Sequence, residues 1–317
     1  MTTSTGSKIV AMGHYQPSKI LTNADLAQMV ETTDEWITSR VGIKERRIAE
    51  HETVADMATA AAGKALANSG LTAADIDMVV VANCTSVDRC PNVACRVAAN
   101  LGIAAPAAFD LNTGCSGFEY ALATVDHAIR AGAARRAIVI GSEKLSDYTD
   151  YTDRSTCVLF GDGAGAAVVV PTEDGEEPGI GPVLWGSDPH KGQSLTIEGW
   201  RPLLYQDGQA VFRWATTVLA PFAREACTRA GVAPEELGAF VAHQANLRII
   251  EPLARKLGAT NAVIARDIVE SGNTSAASVP LALSKLIERG EVASGAPVLL
   301  FGFGGGLTYA GQVVRCP

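Results

Sequence analysis

Short apolar runs alternate with amphipathic segments along this chain, and the alternation runs through twice. Val79–Asn83, Ala107–Leu111 and Ala137–Gly141 are rich in aliphatic residues and have the length of strands buried on both faces. Between the last two, Ser116–Ala131 carries Phe118, Leu122, Val125 and Ile129 at helical spacing, and Gly132 can end the helix. Gly165–Pro171 closes this series as a strand. The second series predicts strands at Val183–Trp185, Ala239–Ala242, Val263–Asp267, Val298–Phe301 and Thr308–Val314. Its helices are expected at Val211–Ala230, Leu247–Leu257 and Ser275–Arg289. Such alternation belongs to α/β architecture.

The spacings also repeat. Cys115 follows Cys84 by 31 positions, and Asn273 follows His243 by 30. Each series ends in a glycine-rich turn, Gly161-Asp-Gly-Ala-Gly165 or Gly302-Phe-Gly-Gly-Gly306, leading into a last strand. Repeating α/β units give similar spacings by themselves, but agreement of the whole order points to an internal duplication. The expected halves are residues 1–172, with Cys115, and 173–317, with His243 and Asn273. They meet in the Pro-, Gly- and acid-rich stretch 171–182.

Composition narrows the function classes. With 317 residues, 47% of them hydrophobic and 19% charged, the chain can bury a large core. A net charge of -8 and the lack of any long Lys/Arg run argue against nucleic acid. Met1–Lys8 is polar and lacks the apolar run of a secretory signal, and no 18-residue apolar stretch exists to span a membrane. The seven cysteines are odd in number, form no Cys-x-x-Cys pair and lack zinc-type histidine neighbours. A reducing cytoplasm is the expected compartment.

Three residues stand out chemically. Cys115 lies where a strand ends, a glycine follows and a helix begins. Free N–H groups at a helix start stabilise a thiolate and can hold an oxyanion. A cysteine there is equally a small buried hydrophobe. His243, in Ala242-His-Gln-Ala-Asn246, follows a strand, where α/β proteins place functional groups, yet a lone histidine there is often structural. Asn273, in Gly272-Asn-Thr-Ser-Ala-Ala-Ser278, has the form of a helix cap. Taken together, a nucleophile and two hydrogen-bonding groups at equivalent strand-to-helix junctions fit thioester chemistry.

These segments, with Asn23-Ala-Asp-Leu26, Asp34-Glu-Trp-Ile37 and Phe160-Gly-Asp-Gly-Ala-Gly-Ala166, resemble the β-ketoacyl-[acyl-carrier-protein] synthase III family of the thiolase-like superfamily. The resemblance covers nearly the whole chain. It implies a layered αβαβα fold with two five-stranded mixed sheets and a homodimer. It also implies an acyltransferase working in two half-reactions. Cys115 takes the acyl group from an acyl-CoA; His243 and Asn273 then stabilise the enolate left when malonyl-[acyl-carrier-protein] loses CO₂. That carbanion attacks the acyl-Cys115 thioester. The N–H groups of Cys115 and Gly305 would hold the acyl oxyanion. No cofactor is implied, because CoA arrives as part of the substrate.

By the same resemblance Trp36 and Arg154 flank the CoA adenine, and Thr32 and Arg40 lie near the nucleotide. Gly208, Phe212 and Asn246 line the pantetheine tunnel. Arg213, Gln244, Arg248, Arg255 and Lys256 receive the carrier protein. Trp36 has an alternative as a core residue of an amphipathic helix, and the basic residues as solvated charges. Cys90 falls where some members carry a bulky aromatic residue that closes the acyl pocket across the dimer interface. A smaller residue implies room for a longer or branched primer. Asn112-Thr-Gly114 replaces an alanine-rich version. The main rival is a starter-unit synthase or acyltransferase of a specialised polyketide-like pathway, using the same Cys115. A carrier-binding scaffold without catalysis is the non-enzyme alternative.

Overall fold

The computed structural model describes residues 6–199 and 203–317. In the first sheet, β1 (Ser7–Tyr15), β2 (Met78–Ala82), β3 (Ala107–Leu111), β4 (Ala137–Lys144) and β5 (Asp162–Pro171) lie in the order β1-β5-β4-β2-β3. β2 pairs parallel with β3 and β4, whereas β5 runs antiparallel to β4 and β1. In the second sheet, β6 (Leu184–Ser187), β7 (Ala239–Ala242), β8 (Val263–Ile264), β9 (Pro297–Gly304) and β10 (Thr308–Arg315) lie in the order β8-β7-β9-β10-β6. Counted from its first strand, the second sheet has the same order as the first, with the same parallel and antiparallel pairs.

Strand alternation sorts the apolar side chains into layers. Val80 and Ala82 of β2 face a central core, while Val79 and Val81 face an outer one. The central core holds helices α4 (Gly117–Arg130) and α7 (Ser278–Glu288) between the sheets. Helices α2 (Val54–Ser69) and α3 (Val93–Leu101) cover the first sheet, and α5 (Gly208–Arg229) and α6 (Leu247–Leu257) cover the second. The result is the expected αβαβα layering. A shorter helix, α1 (Asp34–Val41), is capped by Thr33 and packs beside α6. No described helix is long and apolar enough to cross a membrane.

Several boundaries differ from those expected. The helix predicted from Ser116 begins at Gly117, after a 3₁₀ turn over Gly114–Ser116. The helix predicted from Ser275 likewise splits into a 3₁₀ turn, Ser275–Ala277, and α7. Only Val263–Ile264 of the predicted Val263–Asp267 strand pairs; the chain then enters a short helix, Ile268–Ser271. The two 3₁₀ turns follow the third strands of their sheets and meet in the middle of the molecule.

Candidate active site

Cys115 occupies the centre of its 3₁₀ turn. The preceding Gly114 has φ 55°, a left-handed conformation that glycine adopts without strain. The Gly302–Gly306 loop closes on Cys115 from the other sheet. A Cβ on Gly304 would lie 2.6 Å from Cys115 Cβ, so only glycine fits there. Thr308 Oγ1 ties the loops together: it lies 2.9 Å from the carbonyl oxygens of Thr113 and Gly305 and 2.8 Å from Ser116 Oγ.

Cys115 is 7% exposed. Burial pushes its thiol up to about 11, opposed by the polar neighbours Ser275, Gly305 N–H and its own N–H. The sulfur therefore rests as a thiol. This corrects the expectation that the helix start leaves it ionised: Cys115 precedes α4, and desolvation outweighs the local dipoles.

His243 follows β7 and is buried. Burial lowers its imidazole to about 3, so it is neutral near pH 7. Its Nδ1 lies 2.7 Å from Ser278 Oγ, and its ring meets the Phe303 ring edge-on at 5.2 Å. Ser278 Oγ also accepts the Gln244 N–H at 3.3 Å, which leaves its own proton to point at Nδ1. The imidazole proton then resides on Nε2. Asn273 is held by backbone bonds to Leu159 and Gly161, and its Oδ1 accepts the Ser275 N–H at 2.9 Å. Asn273 is not itself the N-cap of the 3₁₀ turn, which is Thr274; its Oδ1 closes a local turn onto Ser275, which leaves Nδ2 as the donor end.

Cys115, His243 and Asn273 line one cavity of about 200 Å³, with Phe212, Phe303 and Gly304 in its wall. Arg40, Gly208, Phe212 and Asn246 line both this cavity and a wider one of about 510 Å³ at the surface, where Arg213 and Arg248 also lie. The charged lining residues of that mouth are all arginine. Arg248 stacks over Phe212 at 5.5 Å. Asn246 caps α6, accepting the Arg248 N–H at 2.8 Å, while its Nδ2 donates to Arg40 O.

Trp36 lies beneath two guanidinium groups, Arg154 at 5.0 Å and Arg40 at 5.6 Å from its ring centre. It also packs against the small core around α1. Thr32 lines neither cavity, and its shielded Oγ1 makes no hydrogen bond among the described residues. Arg255 and Lys256 are exposed at the far end of α6, about 12 Å along the axis from Arg248 at 1.5 Å per residue. Cys90 is exposed and lines neither cavity of this chain.

Gln244 is not a carrier contact. It is 1% exposed. Its Nε2 donates to the Ala242 carbonyl at 2.6 Å and its Oε1 accepts the Ile268 N–H, so both ends hold the loop. Sequence reasoning also passed over Ser275, Ser278 and Glu143. Glu143 ends β4 beside the nucleophile, and its place at a strand end was the signal available.

Comparison with known proteins agrees with this geometry. Residues 109–189 match the family model described as 3-oxoacyl-[acyl-carrier-protein] synthase III, and residues 227–316 match the model of its C-terminal part. "Beta-ketoacyl-[acyl-carrier-protein] synthase III 4" of Streptomyces coelicolor is 66% identical, covering 98% of this chain and 99% of the relative. The corresponding "synthase III 2" of Streptomyces avermitilis is 64% identical over the same shares. Among solved structures, the priming β-ketosynthase of a polyketide biosynthetic pathway superposes with TM-score 0.97 at 42% identity, covering 100% of this chain and 98% of that one. The Aquifex aeolicus 3-oxoacyl-[acyl-carrier-protein] synthase III gives 0.93 at 43% identity, covering 98% and 100%. This chain belongs to the β-ketoacyl-[acyl-carrier-protein] synthase III family of thiolase-like condensing acyltransferases.

Proposed function

We propose that the protein joins an acyl-CoA primer to malonyl-[acyl-carrier-protein], giving 3-oxoacyl-[acyl-carrier-protein], CoA and CO₂, and so initiates fatty-acid synthesis. The observation that carries this reading is the shared cavity of Cys115, His243 and Asn273, opening through an arginine-lined mouth. In the first half-reaction Cys115 attacks the acyl-CoA carbonyl. The N–H groups of Cys115 and Gly305, which lie close to the sulfur, receive the tetrahedral oxyanion. The adenine slides between Trp36 and Arg154, whose guanidinium lies over the indole at 5.0 Å from its centre.

In the second half-reaction His243 Nε2–H and Asn273 Nδ2–H donate to the malonyl thioester oxygen. Their hydrogen bonds strengthen as CO₂ departs and charge builds on that oxygen. A neutral imidazole suits this task because it donates without titrating. The enolate carbon then attacks the Cys115 thioester. No electron leaves or enters the pair of substrates, so the chemistry calls on no redox cofactor.

In a homodimer, the exposed Cys90 segment would help close the partner subunit's acyl pocket, and its small thiol would admit a longer or branched primer. A second reading keeps the chemistry and moves it to a polyketide starter pathway; the TM-score of 0.97 with a polyketide priming ketosynthase favours it. The test is to mix the protein with acetyl-, butyryl-, isobutyryl- and longer acyl-CoAs and follow intact mass, then add malonyl-[acyl-carrier-protein]. One acyl adduct per chain, mapped to Cys115 and consumed with CO₂ release, is expected. Absence of any adduct, or an adduct at another cysteine, contradicts the assignment.

A further inference from the structure

The Cys115 thiol must shed a proton as its sulfur bonds the acyl carbon, and a buried hydrogen-bonded pair, Ser275 and Glu143, lies beside it. Ser275 Oγ faces the Cys115 thiol across the packed 3₁₀ turns and donates to Glu143 Oε1 at 3.0 Å. Ser275 holds a left-handed backbone, φ 50°, unusual for a serine and fixed in part by the bond to Asn273 Oδ1. Glu143 is wholly buried at the end of β4. Its remaining contacts are donors as well. Cys84 N–H reaches Oε2 at 3.1 Å, the Cys84 thiol reaches Oε1 at 3.3 Å, and the Thr85 hydroxyl donates to Oε2. The direction of the Thr85 bond follows because its oxygen already accepts the Lys144 N–H at 2.8 Å. Four donors and no acceptor suit a carboxylate; a protonated acid needs an acceptor for its O–H.

We propose that Ser275 and Glu143 form the proton relay for acylation of Cys115. As sulfur attacks the acyl-CoA carbonyl carbon, the S–H proton passes to Ser275 Oγ and the Ser275 hydroxyl proton passes to Glu143 Oε1. Collapse of the tetrahedral oxyanion breaks the carbon–sulfur bond to CoA. The CoA thiolate recovers the proton along the same path and leaves as a thiol, and Glu143 is again a carboxylate. Glu143 touches no substrate and acts through Ser275. The proposal rests on Cys115 being the nucleophile.

Burial raises Glu143 above the usual carboxylate range, opposed by the donors from Thr85, Cys84 and Ser275, which makes it a stronger proton acceptor. The other titratable groups facing it are Cys84, on the loop after β2, Cys115, and Tyr148 of the Leu145–Tyr148 turn.

The test is the rate of Cys115 acylation by butyryl-CoA, read by intact mass between about pH 6 and 9, for the wild type, Glu143→Gln and Ser275→Ala. Both variants should acylate roughly 100-fold more slowly at pH 7 and gain about tenfold per pH unit, as hydroxide replaces the relay. Once Cys115 has been fully butyrylated by long incubation, CO₂ release in a single turnover with malonyl-[acyl-carrier-protein] should be slowed far less than acylation. Unchanged acylation, or slower acylation with a wild-type pH profile, overturns the relay and leaves a structural role. Should Glu143→Gln unfold by circular dichroism, Ser275→Ala decides alone, because it leaves the other Glu143 contacts in place. Cys115→Ser separates the two ideas: loss of its adduct supports the nucleophile whatever the relay variants do.

Discussion

Each polar side chain around Cys115 has one end anchored to protein and the other left for chemistry. Ser278 holds His243 Nδ1, so Nε2 carries the donor; Asn273 closes a turn with Oδ1, so Nδ2 is left to donate. Glu119 breaks this pattern. It sits in the first turn of α4, 0% exposed, with neither carboxyl oxygen hydrogen-bonded among the described residues. Burial holds it well above the usual carboxylate range. A Cβ on Gly302 would lie 2.1 Å from Glu119 Oε2, so the two positions are fitted to each other. Replacing the carboxyl by an apolar side chain of similar length removes two unpartnered atoms from the core. Glu119→Met is expected to raise stability by roughly 1–3 kcal/mol in urea unfolding. A loss of stability would mean that the carboxyl is needed where it is.

At the level of elements, function gathers where strands end. The 3₁₀ turns carrying Cys115 and Ser275 follow β3 and β8, and His243 follows β7. Those junctions were legible because strand, glycine and helix signals coincide within a few residues. What was illegible has physical causes. Spacing does not report desolvation, so the thiol was expected to ionise. Nor does it report which side of a loop faces inward, so Gln244 was assigned outward with its neighbours. Helix α2 carries Ala58, Ala61, Ala62 and Ala65 on its buried side, too little contrast to mark an amphipathic face. Helices α5 and α6 carry the basic mouth. If Arg213 and Arg248 steer an acidic carrier, Arg248→Glu should raise KM for malonyl-[acyl-carrier-protein] about tenfold at low salt, with the difference shrinking as salt screens it. An equal KM at all ionic strengths would show that these arginines are ordinary solvated charges.

Over the whole molecule, two sheets of identical strand order face each other across α4 and α7. We read that repetition as duplication. On the proposed mechanism it sets the nucleophile on one half and the two enolate-stabilising donors on the other, around one shared cavity. The family and the layering were legible from motifs in each half, and the three residues those motifs single out line one cavity. The Ser275 and Glu143 contacts were not legible, because they cross between halves and no local pattern encodes them. The division of labour is the central claim, and His243→Ala tests it most directly. Incubated with butyryl-CoA and malonyl-[acyl-carrier-protein], this variant should show the butyryl adduct on Cys115 by intact mass while CO₂ release falls roughly 100- to 1,000-fold, the cost of one oxyanion donor. Failure to acylate, or CO₂ release at the wild-type rate, would contradict the account.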